Sequence, residues 1–248
     1  MCDNCFDPQA LGQLVQEEQE YERTLGADEE WFRADVTVPE LQADAALGTL
    51  PRLVWVSVGP SLEPLPADHE KDAAFGAQLL VRDAVAQLCR VFFERSEPAP
   101  IAVGWEPSIT PAILDAASHF GVGTEPLVWV FMTAEESDEL SDQLNVCDWR
   151  RARRVGVRPH LETVRTRIAQ APLRAAIFIG GTEEQLKDSL ALPLALPSFA
   201  IGSTGGTAKE LLTTQGQRFS GAGQIPVASL SKPKSYLVLM RDLLAQIP

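Results

Sequence analysis

Cysteine is scarce in this sequence, and its few copies lack the spacing of a metal site. There are four cysteines among 248 residues. Cys2 and Cys5 form one CxxC pair, whereas a structural zinc site normally needs four ligands, and Cys89 and Cys147 supply no matching pair. We interpret Cys2 and Cys5 as free thiols and expect no metal ion. So few cysteines, without a secretory signal pattern, predict a cytoplasmic protein.

Long apolar runs and excess basic charge are also missing. No apolar segment approaches the ~20 residues that a membrane-spanning helix requires, so we expect no membrane span. The net charge is −13 at pH 7, which argues against a general nucleic-acid binder. The hydrophobic share of 45% is that of an ordinary globular protein. The length suits one large α/β domain or two small ones.

The charge that is present is unevenly distributed. Residues 1–50 contain twelve Asp or Glu and two Arg, whereas residues 150–174 contain eight of the sixteen Arg and one Glu. Two interpretations of the arginine segment are open. It binds a small anion, or it pairs with the acidic N-terminus or a neighbouring subunit, and the second is slightly favoured. Residues 1–49 are predicted to be a helical acidic arm or cap. Its apolar edge and the separated charges predict a homo-oligomer.

Apolar runs alternate with amphipathic segments from residue 50 onward, which is typical of a parallel sheet covered by helices. Runs rich in β-branched and aromatic residues predict strands at 53–59, 101–104, 127–132, 175–179 and 199–201. Three- and four-residue periodicity and helix-forming composition predict helices at 75–95, 111–120, 160–171, from about 182, at 208–212 and at 237–247. We therefore expect one α/β domain over residues 50–248.

Four predicted strand ends carry turn residues, at Ser57–Ser61, Gly104–Pro107, Gly180–Glu183 and Gly202–Thr207. In parallel sheets, ligands bind beyond the C-terminal ends of the strands. A strand, a glycine pair and a helix start direct bare backbone N–H groups toward an anion. One such turn is as often simple tight packing, but two in succession favour an anion site.

These motifs, in this order, resemble the SLOG superfamily, which comprises Rossmann-like domains related to DNA-processing proteins and to cytokinin-activating LOG enzymes. The resemblance is carried by Val54–Ser61, Gly104–Thr110, Arg165, Ala176–Gly181 and Ser203–Ala208. It implies a Rossmann-like, doubly wound, mainly parallel sheet. The similarity is greatest to a bacterial branch that senses nucleotide or NAD-derived signals in defence systems. A domain of that kind binds a nucleotide-type small molecule without a cofactor, and acts through an oligomer or a separate effector protein.

The resemblance also implies a ligand site built from the turns and one arginine. Its residues are Ser57, Gly59, Pro60, Ser61, Gly104, Trp105, Glu106, Arg165, Gly180, Gly181, Thr182, Glu183, Ser203, Thr204, Gly205 and Gly206. Arg165 would pair with a phosphate, because its planar fork matches phosphate oxygens. Glu106 is interpreted first as an acceptor for a ribose hydroxyl, second as a surface carboxylate and third as an acid–base residue. For Trp105, a core position is favoured over base stacking.

The alternative is an enzyme that cleaves a nucleotide N-glycosidic bond, either a LOG-like phosphoribohydrolase or a deoxyribosyltransferase. Glu106 or Glu183 would then be its catalytic carboxylate. LOG-type hydrolases carry a Pro-Gly-Gly-x-Gly-Thr-x-x-Glu motif, but here Ile179 precedes the glycine pair, Glu183 replaces the third glycine and Lys187 replaces the carboxylate. Loss of a general acid–base group typically costs about 10²–10⁴-fold in rate. The sequence therefore favours a binding module, and we assign no catalytic residue.

Overall fold

The computed structural model describes residues 47–59, 70–120, 123–139, 147–157, 163–182, 192–193 and 195–248. All of them belong to one compact unit, Val38–Pro248. The predicted acidic arm, residues 1–49, lies outside the described residues except for a 3₁₀ turn at Leu47–Thr49. The helix predicted from about residue 182 also lies outside them.

Six strands of the described residues form one parallel sheet. They are β1 Leu53–Gly59, β2 Ile101–Gly104, β3 Val128–Thr133, β4 Ala152–Val157, β5 Leu173–Gly180 and β6 Ser198–Ile201. Their order across the sheet is β4-β3-β2-β1-β5-β6. The chain builds outward from β1 to β4, then returns and places β5 on the other side of β1. The strand order therefore reverses between β1 and β5, and this position is the topological switch point of the sheet.

The two central strands are buried along nearly their whole length. Every residue of β1 is buried, as are the last six residues of β5. Trp55 of β1 and Phe178 of β5 pack with ring centroids 5.9 Å apart. Continuous apolar strands of this kind occur where both faces of a parallel sheet are covered. The predicted α/β class, with its parallel, doubly covered sheet, is confirmed.

Seven α-helices of the described residues flank the sheet. They are α1 Glu70–Phe93, α2 Thr110–Phe120, α3 Ala134–Glu139, α4 Val164–Ala169, α5 Gly206–Thr214, α6 Val227–Ser231 and α7 Tyr236–Gln246. Helix α1 packs against α2 and α7, α4 packs on β2 and β3, and α5 packs on β5 and β6. The helices thus cover the faces of the sheet, and the loops and helix termini lie at the ends of the strands.

Strand β4 is the strand that the sequence analysis missed, because its segment was interpreted only as a basic stretch. It pairs with β3 alone, as the edge strand of the sheet. Arg153 and Arg154 interrupt the apolar pattern by which the other strands were predicted. Arg154 is nevertheless buried, and its guanidinium donates a hydrogen bond to the Ser137 hydroxyl of α3. A hydrogen-bond acceptor provided by the fold allows this charged residue to lie inside a strand.

Several described arginines of the segment 150–174 are engaged within the domain itself. Arg151 and Arg167, like Arg154, are less than a tenth exposed, and Arg151 donates a hydrogen bond to the carbonyl of Gly123. Arg150 pairs with Asp148 at 2.6 Å. Because Arg151 belongs to the basic run, sequence alone favours a surface or subunit charge for it, and its burial shows that this interpretation is wrong. Its position was hidden from the sequence because its acceptor lies 28 residues earlier in the chain.

Candidate functional site

The glycine turns lie together at one edge of the sheet. Gly59 at the end of β1 pairs with Gly180 at the end of β5, and the amide of Gly181 donates to the carbonyl of Gly59 at 3.2 Å. Strand β6 ends beside β5, and β2 ends at Gly104 beside β1. Because all of these strands are parallel, their carboxyl ends share one edge. The four strand ends at which turn residues were predicted therefore lie at one edge of the sheet.

The turns after β5 and β6 pack backbone against backbone. Gly206 has φ +54°, and a Cβ atom at this residue would lie 2.3 Å from the carbonyl oxygen of Gly181. Gly180 has φ +62°, and a Cβ atom there would lie 2.5 Å from the carbonyl oxygen of Gly59. Only glycine suits both positions, because a side chain would be strained by the positive φ and would collide with backbone atoms. Tight packing, one of the two explanations considered for the glycine pairs, thus applies to Gly180 and Gly206.

Threonine hydroxyls hold these two turns in place. Thr204 is fully buried, and its Oγ1 accepts from the amide of Gly180 at 2.8 Å and donates to the carbonyl of Ile201 at 2.6 Å. Thr207 donates twice toward β5, from its amide to the carbonyl of Gly181 at 3.2 Å and from its hydroxyl to the carbonyl of Thr182. The buried Thr204 hydroxyl therefore links the turn after β6 to the end of β5.

Helix α5 begins at this edge without a side-chain cap. Its N-cap is Gly205, with φ +74° and ψ −164°, and no side chain caps the helix. Its first turn contains no acidic residue. A helix N-terminus carries a partial positive charge of about +0.5 and unsatisfied N–H groups. The amide of Thr207 in this turn already donates to the carbonyl of Gly181, and Gly205 is buried whereas Gly206 is half-buried. An anion would therefore approach the backbone at Gly206, where no side chain intervenes.

A hydroxyl pair borders the same turn. Ser203 Oγ and Tyr236 Oη lie 2.9 Å apart. Tyr236 is the first residue of α7 and is 7% exposed. Burial raises the pKa of the Tyr236 phenol, the hydrogen bond with Ser203 opposes this shift, and the charge of Asp83 adds to it. Sequence reasoning missed Tyr236, because the only local signal is its place after the N-cap residue Ser235.

The end of β2 places a tryptophan and a carboxylate beside the switch point. Trp105 is 9% exposed and stacks on Trp149, with centroids 6.4 Å apart and planes inclined by 17°, as expected of a core tryptophan. Glu106 is half-buried. Its Oε1 accepts from the hydroxyl of Ser108 at 2.9 Å, and its amide donates to Thr110 Oγ1 at 2.8 Å. The Glu106 carboxylate is thus held at the start of α2.

Helix α4 approaches this edge closely. A Cβ atom on Gly104 would lie 3.0 Å from Cγ1 of Val164, the first residue of α4. Arg165 follows Val164, so its backbone lies near the end of β2. The side chain of Arg165 lies outside the described residues.

The remaining predicted residues divide between the sheet and the undescribed segments. Ser57 lies within β1 opposite Phe178 and is 7% exposed, so it is further inside the sheet than the turns. Pro60, Ser61 and Glu183 lie outside the described residues.

Neither a metal cluster nor a membrane segment is found in the described part of the chain. There, no group of three or more His, Cys, Asp or Glu residues is placed to hold a metal ion. No helix among these residues combines the length and apolar character needed to cross a bilayer. Comparisons with protein-family models, curated proteins and solved structures found no match. The candidate site is therefore defined by the geometry of this chain alone.

Proposed function

We propose that this chain binds a phosphate-bearing nucleotide or NAD-derived signal at the switch point between β1 and β5, as a SLOG-like sensor domain. One observation carries the proposal: two glycine turns pack into a single backbone surface at the N-terminus of α5, which no side chain caps. Loops leaving the two sides of a switch point diverge and open a crevice in which ligands bind. Amide groups and the helix dipole in that crevice favour a phosphate.

The rest of the ligand is assigned from the groups around this surface. Glu106 would accept a hydrogen bond from a ribose hydroxyl, since its carboxylate is positioned by Ser108 at the neighbouring strand end. The hydroxyl pair of Ser203 and Tyr236 would border the phosphates. Arg165 would provide the cation, because α4 runs beside the end of β2. In bacterial defence, such a domain would transmit the signal through a homo-oligomer or a separate effector.

Calorimetric titration with AMP, ATP, NAD and ADP-ribose tests the proposal. We expect at least one of these ligands to bind the parent protein in the micromolar range. Gly205→Ala should weaken binding at least tenfold, because Gly205 is the N-cap residue of α5 at φ +74° and an alanine would strain the turn that presents the backbone amides. Gly223→Ala is the matched control, since Gly223 also has a positive φ, +87°, but nothing lies within 4 Å of its added Cβ. Equal affinity of the two variants, or no binding below millimolar concentration, would refute the site.

Arg165→Ala should weaken a phosphate-bearing ligand by about 1.5–3 kcal/mol, the range for a hydrogen bond to a charged group. This corresponds to roughly ten- to over a hundred-fold in affinity. Arg150→Ala is the control, since Arg150 is exposed and paired with Asp148. If both variants bind as the parent does, Arg165 has no part in the site.

The same mixtures distinguish a sensor from a hydrolase. Chromatography after prolonged incubation should return the ligand unchanged. Release of a free base, abolished by Glu106→Gln, would instead identify a nucleotide N-glycosidase with Glu106 as its acid–base residue.

A further inference from the structure

A second cleft lies beside the N-terminal ends of β2 and β5, at the sheet edge opposite the switch point. It is formed by the last turn of α1, the start of β5 and one side of α7, and its volume is about 1020 Å³. Four arginines line this cleft, Arg90, Arg95, Arg174 and Arg241. We call it the arginine cleft. Sequence analysis did not single out this group, because its members are spread over 150 residues of chain.

A backbone irregularity sets the position of Arg174. Leu53 pairs with Leu173, but the next residue of β1, Val54, pairs with Ala175. Arg174 is therefore an extra residue in β5 that has no counterpart in β1. Bulges of this kind are rare in parallel pairs and re-aim a side chain relative to the regular alternation. Here the bulged residue is one that lines the cleft.

Arg174 has a buried donor without an acceptor. Its Nε atom is inaccessible to solvent and has no hydrogen-bond partner among the described residues. Burial lowers the pKa of Arg174, and the positive charges of Arg52 and Arg95 lower it further. A guanidinium nevertheless stays charged at neutral pH. An unpaired, partly buried cation among like charges is unfavourable unless another group compensates it.

The cleft is locally positive in an acidic protein. Its lining carries the four arginines and two carboxylates, Glu94 and Glu97, so its formal charge is 4 − 2 = +2, against −13 for the whole chain. Glu94 is already paired with Arg90 at 3.2 Å. Leu237, Leu244 and Ile247 form an apolar side of the same cleft.

We propose that the arginine cleft is a second ligand site, which binds an anion carrying two or more linked phosphate groups. Arginine forks match phosphate oxygens in pairs. A single phosphate cannot contact cations distributed around a cleft of this volume, which is at the upper end of the ~300–1000 Å³ typical of small-molecule sites. Linked phosphates would reach Arg174 and the surrounding arginines together and compensate their mutual repulsion.

Titration calorimetry with inorganic tripolyphosphate at low salt tests the proposal. The parent protein should bind in the micromolar range, and inorganic monophosphate at least tenfold more weakly. Arg174→Gln should weaken tripolyphosphate binding about ten- to a hundred-fold, as expected for the loss of a charge-assisted contact. Arg241→Gln, on the exposed side of α7, should also weaken tripolyphosphate binding. Because this residue is exposed, its replacement tests the cleft even if Arg174→Gln impairs folding.

Lys232→Gln is the matched control, because it removes one exposed positive charge near α6, which packs against α5 and β6. It should leave the affinity within about twofold. The proposal is overturned if Arg174→Gln and Lys232→Gln bind alike, if monophosphate binds as tightly as tripolyphosphate, or if the parent shows no binding below millimolar concentration.

The switch-point variant Gly205→Ala separates this site from the one proposed above. It should leave the Arg174-dependent component of tripolyphosphate binding unchanged. If Gly205→Ala abolishes that binding while Arg174→Gln preserves it, the anion occupies the switch point, and the cleft proposal fails while the proposed function gains support. An ATP titration distinguishes a nucleotide ligand from an inorganic polyphosphate. Arg174-dependent binding that is tighter for ATP than for tripolyphosphate indicates a nucleotide. Equal affinities indicate an inorganic polyphosphate.

Discussion

Replacement of Gly206 by alanine provides the sharpest test of the switch-point geometry. The added Cβ would lie 2.3 Å from the carbonyl oxygen of Gly181 and 3.2 Å from the carbonyl carbon of Gly180. Both are backbone atoms, so neither can move aside by a change of rotamer. The residue would also have to keep φ at +54°, in a region that L-residues rarely occupy. The substitution therefore disturbs the contact between the two turns as well as the conformation of one of them.

The expected loss of stability is the sum of two costs. A left-handed conformation costs an L-residue about 1–2 kcal/mol. Overpacking against atoms that yield only by a backbone shift costs about 1–3 kcal/mol. We therefore expect Gly206→Ala to lower the free energy of unfolding by about 2–5 kcal/mol, a large part of the ~5–15 kcal/mol of a typical domain.

Urea denaturation followed by circular dichroism measures this change, and Gly223→Ala is the control. Gly223 has φ +87°, but its added Cβ would meet nothing within 4 Å. That variant carries the conformational cost alone. Gly206→Ala should therefore be less stable than Gly223→Ala by about 1–3 kcal/mol, the overpacking cost. Equal midpoints for the two variants would refute the close packing of the turns on which the candidate site depends.

Three further predictions follow from buried groups and from the charge distribution. Thr204→Val should lower the free energy of unfolding by about 1–3 kcal/mol, because it leaves the buried amide of Gly180 without its acceptor; the exposed Thr214→Val should change it by less than about 0.5 kcal/mol in the same urea titration. Burial raises the pKa of the Cys89 thiol to about 12, above its usual 9.0. The protonated thiol therefore contributes its full share to the free energy of unfolding below pH 9, and this share is lost as the pH rises toward 12. The urea midpoint of a Cys89→Ala variant should fall less than that of the parent between pH 9 and 12, and a fall of the same size would contradict the raised pKa of Cys89. Light scattering at micromolar concentration should give at least twice the chain mass of 27.0 kDa, whereas a monomer would remove the expectation of a homo-oligomer.

Five of the six strands could be predicted from local sequence because each is a short apolar run, and turn residues follow four of them. Strand β1 is the clearest case, since all seven of its residues are buried and apolar or small. Strand β4 could not be recognised in this way. Its arginines resemble a surface segment unless the acceptor on Ser137 is known, and that acceptor is brought near only by folding.

The candidate site likewise has features that local sequence predicts and features that only the folded structure reveals. That glycine turns should meet at one edge follows from parallel strands, and the turns of β1, β2, β5 and β6 do so. Local patterns cannot show that Gly206 fits against Gly181, that Tyr236 reaches Ser203, or that β5 holds an extra residue at Arg174. Each of these relations joins residues or strands that are distant in the chain.

The sequence by itself determined the class of fold and the chemistry of the strand ends, because apolar alternation and glycine turns act over a few residues. The tertiary structure alone decided which strands are neighbours, and hence that the order reverses between β1 and β5. It also decided which charges are satisfied inside the domain and which gather in the arginine cleft. Strand order and charge pairing depend on crossovers and on packing between distant segments, and these are set by the whole chain at once.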